Sequence, residues 1–179
     1  MALPQPVEKL WHELQSVRAE LLREATGLSQ RQADWKPSER DWSVGEIVDH
    51  LTLAEINTGK LTTKLLKELP AGAGPFPGDL TEFAAVPPAP PGPAVAPPLV
   101  VPAHGKPLAG LIETMKATRE RSFWSVARLA ECDPRALTFK HPLLGELDLG
   151  QWWRLQASHD RMHLQQLREV KAAPGFPRE

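Results

Sequence analysis

Prolines divide this chain into parts that can be helical and one part that cannot. Of its 19 prolines, twelve lie between residues 70 and 107, interspersed with glycine and alanine. Proline has no backbone N–H and clashes with the preceding helical turn, so regular helix or sheet is not expected in this segment, whereas polyproline-like extended backbone is. We interpret residues 70–107 as a proline-rich loop insertion and favour a solvated spacer. A lid or a partner-binding surface are the alternatives.

Apolar residues outside this loop recur with the 3.6-residue period of amphipathic helices. They predict four long helices, over about residues 6–25, 43–70, 107–131 and 151–171. The second helix has the clearest start, because Ser43 and Glu46 have the spacing of a capping box. On the fourth helix we place the inward face along His159, Met162 and His163.

Four such helices with two short joins and one long join predict an all-α fold. The specific prediction is a four-helix bundle with a long proline-rich crossover between helices two and three. A single domain over residues 1–179 fits the length of the chain. Residues 138–150, which contain proline and glycine, predict a loop or a brief extended excursion between helices three and four.

Several features predict a cytoplasmic protein without membrane or nucleic-acid partners. The first residues lack the basic and apolar regions of a signal peptide, and prolines break the one long apolar window, residues 84–101. Cys132 is the single cysteine, which fits a reducing compartment. The net charge is −1 with no basic face, so the electrostatic signature of a nucleic-acid-binding protein is missing.

Three of the six histidines lie on or beside the apolar faces of predicted helices: His50 on helix two, and His159 and His163 on helix four. Residues four apart on a helix have side chains about 5–6 Å apart on one face, a spacing that suits two ligands of one metal ion. A third imidazole from a facing helix gives a three-nitrogen set with open positions, which is more typical of catalytic than of structural sites.

The alternative is that these are core histidines bonded to backbone carbonyls. Three uncharged imidazoles in a core without a common partner leave several polar atoms to satisfy, and this favours the metal site. Nitrogen ligation predicts a divalent metal ion, with zinc or nickel first and iron, manganese or copper as alternatives.

Four neighbouring polar residues carry weaker predictions. Glu46 and Gln166 are candidates to orient the histidine rings, but for Glu46 we favour a role restricted to the capping box, and Gln166 has the alternative of a polar residue at a pocket mouth. Asp160 is expected to point away from the histidine face into solvent. Glu55 is expected to face either the pocket or the surface.

Three stretches together resemble the DinB/YfiT-like superfamily of four-helix metalloproteins. They are WSVGEIVDHL at 42–51, HPLLGEL at 141–147, and the segment 152–167 that begins with WW and contains HDRMHLQQL; DWKP at 34–37 also fits. The resemblance implies a bundle with an unusual helix order and a divalent metal on His50, His159 and His163. Members are often dimers, so the resemblance also implies a homodimer. The proline-rich insertion departs from the usual pattern.

Some members of that superfamily are thiol-dependent transferases or isomerases that use bacillithiol, mycothiol or glutathione. Our first hypothesis is therefore a metal-dependent enzyme that transfers a low-molecular-weight thiol to an electrophilic small-molecule substrate, with a metal-dependent hydrolase as its variant. The second is a non-catalytic stress-response module that binds metal or a protein partner. The third is a purely structural role in which the histidines bind no metal.

Overall fold

The computed structural model of the chain describes residues 2–91 and 95–178, so the single-domain prediction extends over Met1, 92–94 and Glu179, which lie outside the described residues. The described part is predominantly α-helical, as predicted. Its α-helices are α1 Gln5–Ala25, α2 Gln30–Asp34, α3 Val44–Lys67, α4 Leu108–Ala127 and α5 Leu149–Ala172. None of the helices in the described ranges is both long enough and apolar enough to cross a bilayer.

Capping boxes start three of these helices. Ser29, Ser43 and Asp148 are the N-caps of α2, α3 and α5, and each side chain accepts a hydrogen bond from the backbone N–H three residues on. Because Asp148 is the N-cap, α5 begins two residues before the predicted start. At the other end, α4 stops at Ala127 and continues as the 3₁₀ helix Arg128–Glu131, so the predicted end near residue 131 includes a tighter last turn.

A β-hairpin between α4 and α5 corrects the strictly all-α prediction. Strands β1 Thr138–His141 and β2 Gly145–Asp148 pair antiparallel, with Thr138 opposite Asp148. Gly145 has a positive φ of +79°, which glycine adopts without strain. Each strand has only four residues and little burial, so it lacks the apolar alternation by which a strand is recognised in sequence.

The four long helices pack on one another around a core with a polar layer in the middle. α3 contacts α4 and α5, and α1 contacts α5 and α4. Leu14 and Ala157 belong to one buried apolar cluster and Leu21 and Leu164 to another. Between them, in chain order on every long helix, lie four buried charged residues that we call the charge network: Arg18, Glu55, Arg119 and Asp160.

Parts of the proline-rich loop pack against the helices, which departs from the solvated spacer we favoured. Phe83 is 5% exposed and contributes to the first apolar cluster. It lies so close to Gly150 that a Cβ there would meet its ring at 2.4 Å, so this approach requires glycine. Further along, the 3₁₀ turn Pro98–Val100 lies on α3.

Candidate metal centre

The structure brings the three predicted histidines together. His50 lies two turns into α3, and α5 carries His159 and His163. The Nε2 atom of His159 lies 3.1 Å from Nε2 of His50 and 3.0 Å from Nε2 of His163. One ring nitrogen from each residue falls within a group spanning no more than 4.8 Å. We call these residues the histidine cluster.

The outward nitrogens of two rings have oxygen partners. His50 Nδ1 lies 2.7 Å from the backbone oxygen of Val100, and His163 Nδ1 lies 2.6 Å from Oε1 of Gln166. Because oxygen there accepts a hydrogen bond, Nδ1 carries the ring proton and Nε2 keeps its lone pair. His159 has one proton at most to share between two such lone pairs, so the cluster cannot satisfy all its nitrogens by itself.

Protonation does not relieve this arrangement near neutral pH. Burial, followed by the neighbouring His163 and His50, lowers the pKa of His159 from the ordinary value to about 2. Burial lowers the pKa of His163 to about 4, although its bond with Gln166 opposes the shift, and burial also lowers the pKa of His50. The rings are therefore neutral at pH 7, which is the form that binds a metal ion.

The geometry and chemistry of the cluster fit a divalent cation. Two nitrogens that share one zinc ion at about 2.0–2.1 Å lie roughly 3 Å apart, close to the separations from His159 Nε2. A cation would satisfy the converging lone pairs that the rings leave facing one another. His50 and His163 are only 3% and 7% exposed, so water does not replace that partner freely.

Trp42 covers one side of the histidine cluster. Its ring centroid lies 4.6 Å from that of His50 and 5.7 Å from that of His163, the latter nearly parallel at 27°. The indole packs on two of the three imidazoles and shields them from solvent on that side. Sequence reasoning did not assign this contact, because nothing in the local pattern before the Ser43 cap indicates which ring a tryptophan will cover.

The proline-rich loop contributes the carbonyl that orients His50. Next to His50, the Asp49 carboxylate accepts hydrogen bonds from Lys106 Nζ at 2.8–2.9 Å and from the Ala103 N–H at 2.9 Å. These bonds tie the loop to α3 just beyond Val100. The sequence did not predict this bond to Val100, because side-chain patterns do not indicate which backbone oxygen will contact a ring.

Glu46 and Gln166 occupy different environments. The Glu46 carboxylate accepts a bond from the Ser43 N–H at 2.8 Å and pairs with Lys36 at 3.3 Å, so it lies in the capping box as favoured above. Gln166 instead contacts His163 directly. It also lines a pocket of about 300 Å³, together with Pro37, Asp41, Glu169, Val170 and Ala173.

The expectations for Asp160 and Glu55 were wrong. Both side chains are fully buried and pair with Arg18 and Arg119. For Asp160 the cause is a misplaced face on α5. Its buried face runs through Asp160, whereas Met162, which we placed inward, is 58% exposed. Of the two histidines on α5, His163 belongs to the buried face and His159 is partly exposed at its edge.

Comparison with known proteins agrees with the motif resemblance. The model of the DinB superfamily matches residues 13–167. An uncharacterized protein of Bacillus subtilis (strain 168), YuaE, is 27% identical over 157 residues, which cover 86% of this chain and 92% of YuaE. No solved structure matches the chain significantly. With most of its length matched by the family model, the chain belongs to the DinB superfamily.

Proposed function

We propose that this protein is a divalent-metal-dependent enzyme whose ion is held by His50, His159 and His163. The observation that carries the proposal is the convergence of three imidazole nitrogens within 4.8 Å while the outward nitrogens of two rings are already bonded. Zinc or nickel suits this all-nitrogen set best. When bound, such a cation acts as a Lewis acid and lowers the pKa of a thiol or water in contact with it.

The protein's own residues prepare that chemistry. Neutral rings offer lone pairs without competing protons, and the oxygens of Val100 and Gln166 hold two of the rings in orientation. Trp42 excludes water from one side. Three protein nitrogens leave coordination positions for a substrate atom, as in catalytic rather than structural sites.

The substrate we propose is a small molecule, with transfer of a low-molecular-weight thiol to an electrophilic carbon as the reaction. The new sulfur–carbon bond forms as the leaving group departs with the bonding electrons, and the thiol proton is released to solvent. Membership of the DinB superfamily supports this class. The pocket beside Gln166, about 300 Å³, is at the lower end of the size range for small-molecule sites.

We also propose that α1, α3, α4 and α5 form a four-helix bundle with the proline-rich loop as the crossover between α3 and α4. The mutual contacts of these helices support it. In that arrangement the loop crosses the face that carries His50, so the long connection has a role in the site as well as in the topology.

Metal binding is tested first, with purified protein as isolated and after loading with zinc or nickel. We expect about one ion per chain by elemental analysis and its loss in His159→Ala. His12→Ala, which removes an exposed histidine from α1, is the matched control and should bind normally. Equal metal content in the native protein and His159→Ala would exclude the proposed ligand set.

Catalysis is tested next with the metal-loaded protein. Cysteine, glutathione and bacillithiol are each incubated with chlorinated and epoxide acceptors, and the thioether product is measured by mass spectrometry. We expect turnover that disappears on chelation and in His159→Ala. Ester and amide substrates in the same assay test the hydrolase variant. Metal binding without turnover of any substrate would instead favour the non-catalytic module.

A further inference from the structure

The charge network takes one residue from each long helix. Arg18 lies on α1, Glu55 on α3, Arg119 on α4 and Asp160 on α5, and their exposed fractions are 1%, 0%, 4% and 0%. The network carries two positive and two negative charges. Two of its members are on the helices that carry the histidine cluster, α3 and α5, but none of them is one of the proposed ligands.

Asp160, the member of the charge network on α5, accepts hydrogen bonds from three other side chains. Its carboxylate accepts bonds from Nε and Nη2 of Arg18 at 2.9–3.1 Å and from Nη2 of Arg119 at 3.0 Å. Gln156, one turn earlier on the same helix, adds a bond at 3.1 Å. Asp160 is thereby held by α1 and α4 at once, at a point that cannot shift without breaking several charged hydrogen bonds.

Stability alone is a weak explanation for such a network. Removing charges from water costs several kcal/mol per ion, and their pairing only offsets this, so well-packed apolar residues often do as well. A charge network differs from apolar packing in being directional. An apolar helix face tolerates small rotations, whereas a carboxylate gripped by two guanidinium groups has one acceptable position.

Because Asp160 is close to both α5 histidines in the chain, its directional pairing affects where their rings point. Asp160 directly follows His159 and precedes His163 by three residues. Since a helix turns about 100° and rises about 1.5 Å per residue, a rotation or slip of α5 moves both rings relative to His50. Fixing Asp160 therefore fixes where the two α5 histidines point.

We infer that Asp160 is a positioning residue for the histidine cluster. Its ion pairs with Arg18 and Arg119 set the rotation of α5, and this rotation brings His159 and His163 to His50. This inference rests on the metal-binding function proposed above. It predicts that the network influences the metal site through geometry, to an extent that loss of stability does not explain.

The test compares Asp160→Asn with Glu55→Gln. Both substitutions remove one fully buried carboxylate that pairs with the same two arginines, so their effects on charge and stability are matched. Zinc affinity is measured by competition with a chromophoric chelator at a temperature where both variants are folded. We expect a 10- to 100-fold weaker Kd for Asp160→Asn, as for groups that orient ligands. For Glu55→Gln we expect at most a threefold change, because Glu55 is five residues from one ring, His50, whereas Asp160 directly follows His159 and lies within one turn of His163.

A double variant that removes one positive and one negative charge is the control for misfolding. Arg18→Gln with Asp160→Asn leaves the Arg119–Glu55 pair, so no uncompensated charge remains, and it should fold while still binding zinc weakly. Normal zinc affinity in this variant or in Asp160→Asn would overturn the inference, as would equal weakening in Glu55→Gln.

A measurement on metal-free protein separates this inference from the proposed function. In the native chain the His50 and His159 ring centroids are 4.9 Å apart, which predicts ring-to-ring nuclear Overhauser effects. These should persist in Glu55→Gln and vanish in Asp160→Asn. If the native protein binds no metal, the proposed function fails; the ring contacts then decide the positioning role by themselves.

Discussion

The histidine cluster and the charge network are both polar sets with members on α3 and α5, yet their polar atoms find partners in different ways. In the charge network, the guanidinium groups and carboxylates lie 2.8–3.1 Å from partners of opposite sign and the charges cancel. In the histidine cluster, three neutral rings turn nitrogens toward one another at 3.0–3.1 Å. Burial has lowered their pKa values, so they cannot supply the missing positive charge themselves.

The difference shows which property marks a binding site. Burial of polar groups does not, because the charge network is the more deeply buried of the two and its charges pair among themselves. Among the described residues, Nη1 of Arg18 is the one buried side-chain polar atom that lacks a hydrogen-bond partner. What marks the histidine cluster is a set of three ring nitrogens that converge with at most one proton among them.

Breaking the charge network should cost the most. Arg119→Met removes one cation and leaves Glu55 and Asp160 buried against Arg18 alone, so we expect the free energy of unfolding to fall by about 3–5 kcal/mol. Urea denaturation measures this loss. Arg121→Met, an exposed arginine on the same helix, is the control and should change stability by less than about 0.5 kcal/mol. A loss below about 1 kcal/mol in Arg119→Met would mean that the network contributes little.

Completing the histidine cluster should stabilise the protein. At free zinc 100 to 1,000 times its Kd, binding to the folded state alone adds about 2.7–4.1 kcal/mol to the free energy of unfolding. The gain is measured by urea denaturation with zinc and with a chelator. His159→Ala should show no difference between the two conditions, and His12→Ala should behave as the native protein. A native protein insensitive to chelation would contradict a resident ion.

The two sets also differ in how far sequence could predict them. The histidine cluster was predicted because an i,i+4 pair and the Ser43 capping box place each histidine on a recognisable helix. Arg18 and Asp160 are 142 residues apart in the chain. Each has the residue type of a solvated surface, so no local period indicates that they meet in the core.

Other parts of the site depend on tertiary contacts in the same way. The Val100 oxygen reaches His50 only because the loop returns to α3, and Asp49 and Lys106 hold it there across 57 residues. The starts of the helices could be predicted from their capping residues. The strands of the β-hairpin could not be predicted, because they lack an alternating apolar pattern. Local rules thus predicted the helices and the three histidines. The oxygen that orients His50 comes from a distant segment.

Lowering the pH should reduce the free energy of unfolding of the metal-free protein, first through the histidine cluster and only then through the charge network. Above pH 6.5 the rings are neutral in both folded and unfolded chains. Below pH 6.5 these histidines take up protons in the unfolded chain. In the folded chain His159 stays neutral down to about pH 2 and His163 down to about pH 4. The free energy of unfolding therefore falls as pH falls, by at most about 1.4 kcal/mol per ring and pH unit.

Urea denaturation of metal-free protein at pH 7.5, 6.5 and 5.5 measures this dependence. Burial raises the pKa of Glu55, but Arg18 and Arg119 outweigh it and lower the net value, so its contribution is lost only below the ordinary carboxyl range. His159→Gln should therefore flatten the slope between pH 6.5 and 5.5. An unchanged slope in that variant would assign the acid sensitivity to other groups.

The smallest effect is expected where the loop meets the cluster. Asp49→Asn removes the charge that holds Lys106 and weakens the bond to the Ala103 N–H, which loosens the segment that carries Val100. His50 would then lose a fixed acceptor at Nδ1, and zinc affinity should fall about tenfold, or about 1.4 kcal/mol. Glu113→Gln, an exposed carboxylate paired with Lys116 on α4, is the control and should bind zinc normally.

This last comparison distinguishes an orienting loop from one that only connects two helices. If the loop only connects them, Asp49→Asn should alter stability slightly and leave the Kd for zinc unchanged. If it orients His50, the Kd rises while the stoichiometry stays at one ion per chain, because the three ligands are all still present. The proline-rich segment, which reads in sequence as a spacer, would then supply one of the two oxygens that accept a bond from Nδ1 of a ring and leave its Nε2 lone pair facing the other rings.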